Sequence, residues 1–177
     1  MHPLDKFTHC PICGSRRFEI NDEKSKRCSN CGFEYYLNPS ASNAALIVND
    51  NDELLVVTRK KEPCKGQLDL PGGFYDIGET AEQGVAREVK EETGLTVAHS
   101  RFLYGYPNTY LYSGFTVYTL DLFFYCEVKD FTTLAAHDDA ASFRWIPIRQ
   151  LQPELFAFAS IRKAVKRFMN EYRQYDQ

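Results

Sequence analysis

Gly73-Phe74-Tyr75-Asp76-Ile77-Gly78-Glu79-Thr80-Ala81-Glu82-Gln83-Gly84-Val85-Ala86-Arg87-Glu88-Val89-Lys90-Glu91-Glu92-Thr93-Gly94-Leu95 is the stretch that decides the fold. It reads as a glycine turn, a short acidic loop and a helix. Thr80-Ala81-Glu82-Gln83 has the form of a capping box, which makes Thr80 the N-cap. Gly94 is placed to end the helix in the left-handed conformation. With about 100° between successive side chains, Ala81, Val85 and Val89 form one apolar stripe. Glu88 and Glu92 fall on the side of that stripe, beside Val85, and Glu91 lies next to Glu88 on the other flank. Two carboxylates one turn apart therefore sit where the helix meets the rest of the core. Like charges at this spacing repel even when exposed, and burial raises the cost. A bound divalent cation turns that repulsion into coordination.

The loop before the helix supports a metal site. Pro71-Gly72-Gly73 permits a tight turn and a close approach of backbone to ligand, and a Gly carbonyl adds an oxygen. Hard oxygen ligands suit magnesium or manganese. Working outward, Ala44–Val48 reads as a strand, Asn49–Asp52 as a turn and Leu54–Val57 as the returning strand of a hairpin. Arg59, Lys60 and Lys61 end that strand, as phosphate contacts or as a solvated edge. After the helix, Arg101–Tyr106 and Phe115–Val128 are β-rich. Phe143–Ile146 is a short strand ended by Pro147. Residues from about Glu154 to Tyr172 are helical, with Phe158, Ile161, Val165, Phe168 and Met169 at helical spacing. Strands with helices before and after predict an α+β sandwich with a mixed sheet.

Gly73, Glu79 and the run Arg87-Glu88-Val89-Lys90-Glu91-Glu92-Thr93-Gly94-Leu95 together resemble the complete Nudix box, with no fixed position departing. Leu68-Asp69-Leu70-Pro71-Gly72-Gly73 before it and Arg144-Trp145-Ile146-Pro147 after it are also similar to Nudix hydrolases. The resemblance covers roughly Pro39 to the end and implies a Nudix-type α/β/α sandwich. It also implies hydrolysis of a nucleoside diphosphate derivative by water attack on phosphorus, with Mg2+ or Mn2+ as cofactor. By position in the motif, Gly73, Glu88, Glu91 and Glu92 are the implied metal ligands. Arg87, with Glu79, orients the catalytic glutamates. The general base lies on the box or on a distal loop, where His137, Asp138 and Asp139 are the candidates; a solvated turn is the plainer account of those three.

Cys10-Pro11-Ile12-Cys13-Gly14 and Cys28-Ser29-Asn30-Cys31-Gly32 are two like knuckles. Four thiolates around one ion make a closed tetrahedral site, the form of structural zinc. The expected division is 1–37 as a zinc ribbon and 38–177 as the hydrolase domain. The ribbon has few long aliphatic residues (Leu4, Ile12, Ile20 and Leu37), so it needs its metal to fold. Cys64 and Cys126 read as small, partly buried hydrophobes.

A ribbon ahead of a Nudix domain resembles the NAD(H) pyrophosphatase group. That group's Ser-Gln-Pro-Trp signature corresponds to Gly105-Tyr106-Pro107-Asn108 here, and Pro107 alone agrees. NAD(H), ADP-ribose and similar compounds are therefore equal candidates as substrate. Tyr104, Tyr106, Tyr110 and Tyr112 either stack on a base or form one face of a strand.

The 177 residues carry a net charge of -3, which argues against a surface built to hold nucleic acid. Over residues 1–37, six Lys and Arg face five acids, a poor match to a phosphate backbone. An alternative remains a nucleotide-sensing or RNA-binding module using the ribbon, with little turnover; an intact Glu88, Glu91 and Glu92 favours the enzyme. No apolar run approaches the roughly 18 residues of a membrane span. The first residues lack the apolar core of a secretory signal, so a cytoplasmic protein is expected. A homodimer is the expected assembly.

Overall fold

The computed structural model describes residues 2–135 and 140–174. They form two compact units: Met1–Pro39 with Thr109–Tyr118, and Ser40–Asn108 with Thr119–Gln177.

The first unit holds a three-stranded antiparallel sheet of β1 (Phe18–Ile20), β2 (Ser25–Cys28) and β3 (Glu34–Tyr36). Among the described residues its buried apolar cluster is Cys10, Phe18 and Cys28, with Phe33 against it. The segment Thr109–Tyr118 belongs to this unit and carries Phe115, whose ring meets Phe7 edge-on at 5.5 Å. Lys6 Nζ also donates to the Gly114 carbonyl.

The second unit contains β4 (Ser40–Leu46), β5 (Glu53–Arg59), β6 (Leu68–Asp69), α1 (Ala81–Thr93) and α2 (Ala159–Gln174). With them are β7 (Val97–Tyr112) as far as Asn108, β8 (Phe115–Val128) from Thr119 onward, and β9 (Ala140–Pro147). One sheet has the order β4-β8-β7, with β4 parallel to β8; the other has the order β6-β5-β9 and is antiparallel. Alternate residues of these strands enter two cores. Ala44, Leu46, Leu54, Val56 and Phe123 pack with Ile161, Val165 and Phe168 of α2. Ala45, Ile47, Leu55 and Phe124 pack with Val85 and Val89 of α1. Strands buried on both faces between two helices make the α/β/α sandwich expected from the sequence.

Three expectations are corrected. The chain does reverse at Asn49–Asp52, where Asn49 N–H reaches the Glu53 carbonyl at 3.0 Å. The predicted hairpin nevertheless fails to extend: β4 pairs with β8 and β5 with β6 and β9, leaving a single Val48↔Leu54 bridge. β4 also starts at Ser40, earlier than its apolar run, because Ser42 donates to Asp121 of β8. The last helix begins at Ala159, after a 3-10 turn at Pro153–Leu155. Phe156 and Ala157 are held out of helix by β6, where Ala157 N–H donates to the Leu68 carbonyl at 2.8 Å.

Candidate functional site

Local signals place the acidic helix. The Thr80 hydroxyl accepts from Gln83 N–H and the Gln83 side chain accepts from Thr80 N–H, so the capping box is closed at both ends. Gly94 adopts φ 73° and its N–H returns to the Lys90 carbonyl. The chain just before the helix runs back along it. Gly72 N–H donates to Glu92 Oε2 at 3.1 Å. The Phe74 carbonyl accepts from Arg87 Nη2 at 2.9 Å. Tyr75 lies against Gly84, where any side chain would enter its ring. At Gly73 the approach is closest: a Cβ there would stand 2.7 Å from the carboxyl carbon of Glu88. That residue is glycine because a carboxylate occupies the space.

Arg87 gathers the acids. Its Nε and Nη2 grip both oxygens of Glu79 at 2.6 and 3.0 Å. Its Nη1 donates to Glu88 Oε1 at 2.9 Å and to Glu91 Oε2 at 3.0 Å. With the Phe74 carbonyl, these bonds engage all five guanidinium donors. Hydrogen bonds from Arg87, aided by the Asp76 N–H, hold the Glu79 carboxyl below the usual range. Burial pushes Glu88 the other way, against the pull of Arg87. Glu92 is 9% exposed, whereas the Glu91 side chain is half exposed. The charge pattern is therefore graded: Glu79 is locked on arginine, Glu88 and Glu92 are at the helix–sheet seam, and Glu91 is open to solvent.

The carboxylates are a hard-oxygen set on one helix edge, but a looser one than the cysteines. Among the described residues, only Cys10, Cys13, Cys28 and Cys31 bring three or more potential metal-ligating atoms within 4.8 Å of one another. Cys10 and Cys31 sulfurs are 3.7 Å apart, as are those of Cys13 and Cys28. Tetrahedral Zn–S bonds of about 2.3 Å place sulfurs about 3.8 Å apart, so the residues fit zinc. Gly14 N–H returns to the Cys10 carbonyl and Gly32 N–H to the Cys28 carbonyl, both at 2.9 Å, so the knuckles are built alike. The Ser15 N–H and the Asn30 amide lower the Cys13 thiol to about 6. Although the Phe33 N–H favours its thiolate, Cys31 is pushed up to about 12 by the neighbouring thiols and burial. A cation held by all four sulfurs would compensate the charge of their thiolate forms.

The other sequence candidates are placed elsewhere. Arg59 Nη1 pairs with Asp69 at 2.6 Å, its Nε donates to the Pro63 carbonyl, and its guanidinium lies over Phe158. It bridges β5 and β6 rather than ending in a solvated edge. Tyr106 packs against Tyr104 and Phe123, and Arg167 Nη1 lies 3.5 Å from its hydroxyl. His137, Asp138 and Asp139 lie outside the described residues. The sequence reading missed Asp76 and the Phe74 carbonyl as partners of Arg87. It also missed the buried Asp121, which accepts from Ser42 and Ser160. Polar residues inside β-rich segments were the available signal.

Residues 39–168 match the NUDIX domain. The chain therefore belongs to the NUDIX family, a class of hydrolases that act on diphosphate linkages. It is 31% identical over 106 residues to the NAD-capped RNA hydrolase NudC of Vibrio atlanticus, a match spanning 60% of this chain and 39% of that protein. It is 48% identical over 63 residues to the ADP-ribose pyrophosphatase of Methanocaldococcus jannaschii, spanning 36% of this chain and 37% of that protein. Its matches thus cover about two fifths of the length of these relatives. A solved NUDIX hydrolase from Nitrosomonas europaea shares the fold, with a TM-score of 0.74 and 22% identity over 94% of this chain and 93% of that one.

Proposed function

We propose that the protein is a Mg2+- or Mn2+-dependent pyrophosphohydrolase that splits the diphosphate linkage of a nucleoside diphosphate derivative such as NAD(H) or ADP-ribose. The observation that carries this reading is the Arg87 cluster: one guanidinium binding Glu79, Glu88 and Glu91, with Glu88 seated on the Cα of Gly73. The names of the relatives, a NAD-capped RNA hydrolase and an ADP-ribose pyrophosphatase, agree with a dinucleotide-like substrate.

Glu88, Glu91 and Glu92 are the residues to hold the cation, and the Gly73 carbonyl, which accepts from Asn43 N–H at 2.8 Å, has one lone pair left to join them. A divalent cation bound there supplies charge neutralisation of the diphosphate and acidifies a bound water. Arg87 has no donor left for a leaving group, so its work is to fix carboxylates. A glutamate of the box is the proposed acceptor of the proton from the attacking water. Glu91, half exposed, is the member with room to turn from arginine toward a ligand. Asp138 or Asp139 is an alternative base. Residues 1–37 are proposed as a structural zinc ribbon and 38–177 as the hydrolase domain, in a cytoplasmic homodimer.

The test is a substrate panel with each metal: NADH, NAD, NAD-capped RNA, ADP-ribose, nucleotide sugars, dinucleoside polyphosphates and nucleoside triphosphates. The expected result is metal-dependent cleavage of a diphosphate-linked nucleoside into two monophosphates. Binding of RNA that weakens with salt, without turnover of any diphosphate, would support the ribbon-centred alternative instead.

A further inference from the structure

β4 begins with four residues that do not look like a buried strand, Ser40-Ala41-Ser42-Asn43. Ser42 is accounted for by its bond to Asp121. Asn43 is not. It is 4% exposed, and neither Nδ2 nor Oδ1 has a hydrogen-bond partner in the protein. Buried carboxamides are bonded in nearly all proteins, to protein or to ordered water.

The register shows where this side chain stands. Residues 71–74 run antiparallel to β4: Asn43 N–H donates to the Gly73 carbonyl and Ala45 N–H to the Pro71 carbonyl, both at 2.8 Å. Ser42 and Phe74 form a bridge in the same register. Asn43 is therefore directly opposite Gly73, and directly opposed residues project to the same face. On that face a Cβ at Gly73 would meet the Glu88 carboxyl group at 2.7 Å. The β8 partner gives the same answer. Asn43 pairs with Leu122, which packs into the core beneath α1. Asn43 thus rises beside Glu88, under α1, with both polar ends unbonded. Two polar groups that face each other without touching are commonly joined by one water.

We propose that Asn43 is a positioning residue of the diphosphate site, its carboxamide holding one water against the Glu88 carboxylate, with Nδ2 donating to the water and the water donating to Glu88. The inference rests on the pyrophosphohydrolase reading and adds to it. Arg87 fixes Glu88 from the solvent side through Oε1; the Asn43 water fixes it from the sheet side. Without that water the carboxylate is free to turn, so both cation binding and turnover weaken. Support of this kind behind a metal ligand changes affinity or rate by roughly 10- to 100-fold.

The test uses the full chain as wild type, Asn43→Leu, Asn43→Ala and Glu88→Gln. Asn43→Leu keeps the number and branching of side-chain heavy atoms while removing the polar ones; Asn43→Ala is the change that adds no bulk should leucine prevent folding. Three quantities are read: Mn2+ affinity by water-proton relaxation with the ion alone, kcat and KM on ADP-ribose with Mg2+, and the thermal midpoint. The expected result is a midpoint unchanged or raised, Mn2+ affinity and kcat each lower by about tenfold or more, and KM within about twofold. A structural role alone moves the midpoint and leaves Mn2+ affinity in place. Folded Asn43 variants with wild-type Mn2+ affinity and kcat, beside a Glu88→Gln protein that has lost both, overturn the role of Asn43 while sparing the hydrolase reading. If the wild type binds Mn2+ but cleaves nothing, the hydrolase reading falls and Mn2+ affinity alone decides Asn43. If the wild type binds no Mn2+, both fall.

Discussion

Replacing Gly73 by alanine adds a single methyl group, and its position makes the outcome calculable. The new carbon would lie 2.7 Å from the Glu88 carboxyl carbon and 2.7 and 2.8 Å from its oxygens. Carbon atoms settle no closer than about 3.5 Å, so the carboxyl group must retreat by about 0.8 Å. It is the far end of a flexible side chain, so the fold accommodates the change at a cost of about 1 kcal/mol, or about 3 °C in the thermal midpoint. The site does not accommodate it. Glu88 is pushed from its 2.9 Å contact with Arg87, and a misplacement near 1 Å costs on the order of 100-fold in rate. The assay pairs kcat on ADP-ribose at saturating Mg2+ with thermal unfolding of the same sample. A kcat within about twofold of wild type would refute the argument that Gly73 is glycine for the sake of Glu88. A variant that fails to fold would refute the claim that the carboxylate yields first.

Other consequences follow from particular contacts. One zinc per chain is expected by metal analysis, and Cys28→Ser or a strong chelator should make residues 1–37 protease-sensitive; resistance after complete metal removal would contradict a metal-dependent ribbon. The Glu79 carboxyl is held below its ordinary 4.5 by Arg87, so the stability it contributes is full above that pH and lost as pH falls through the lowered folded value. Glu79→Gln should therefore flatten the acid decline in thermal midpoint, and an unchanged decline would remove Glu79 as its source. Burial pushes Asp69 above its ordinary 3.8, with Arg59 the main opposing influence. Arg59→Met leaves that carboxylate buried without its partner, a loss of about 3 kcal/mol at neutral pH. A raised folded pKa gives stability at low pH that is lost on raising it, so the deficit should shrink toward acid; a deficit constant with pH in denaturant titrations would contradict the pairing.

How legible the molecule was in its sequence depended on how local each determinant is. The helix Ala81–Thr93 was readable to the residue because Thr80, Gln83 and Gly94 act within a turn of its ends. The cysteine knuckles were readable because each is closed by bonds within the knuckle, Gly14 to Cys10 and Gly32 to Cys28. The pairing of β4 was not. An apolar run, a turn and a second apolar run describe a hairpin, yet Ser42 and Asp121, distant in sequence, tie β4 to β8. Ser40 to Asn43 looked too polar for the strand that they begin. The same blindness hid Asn43, whose meaning comes from lying opposite Gly73 and under α1. At the site, the sequence supplied the acids and their shared helix edge. The arrangement of Arg87, with every donor engaged, depends on the return of the 72–75 segment along the helix.

The role of the acidic helix as a metal-dependent hydrolytic site is tested by the turnover of Glu88→Gln and Glu92→Gln on the best substrate of the panel, alongside circular dichroism and thermal unfolding. Each change keeps side-chain shape and removes one charged oxygen ligand. Both proteins should stay folded and lose turnover by orders of magnitude. Near-wild-type rates in both, in folded protein, would contradict that role.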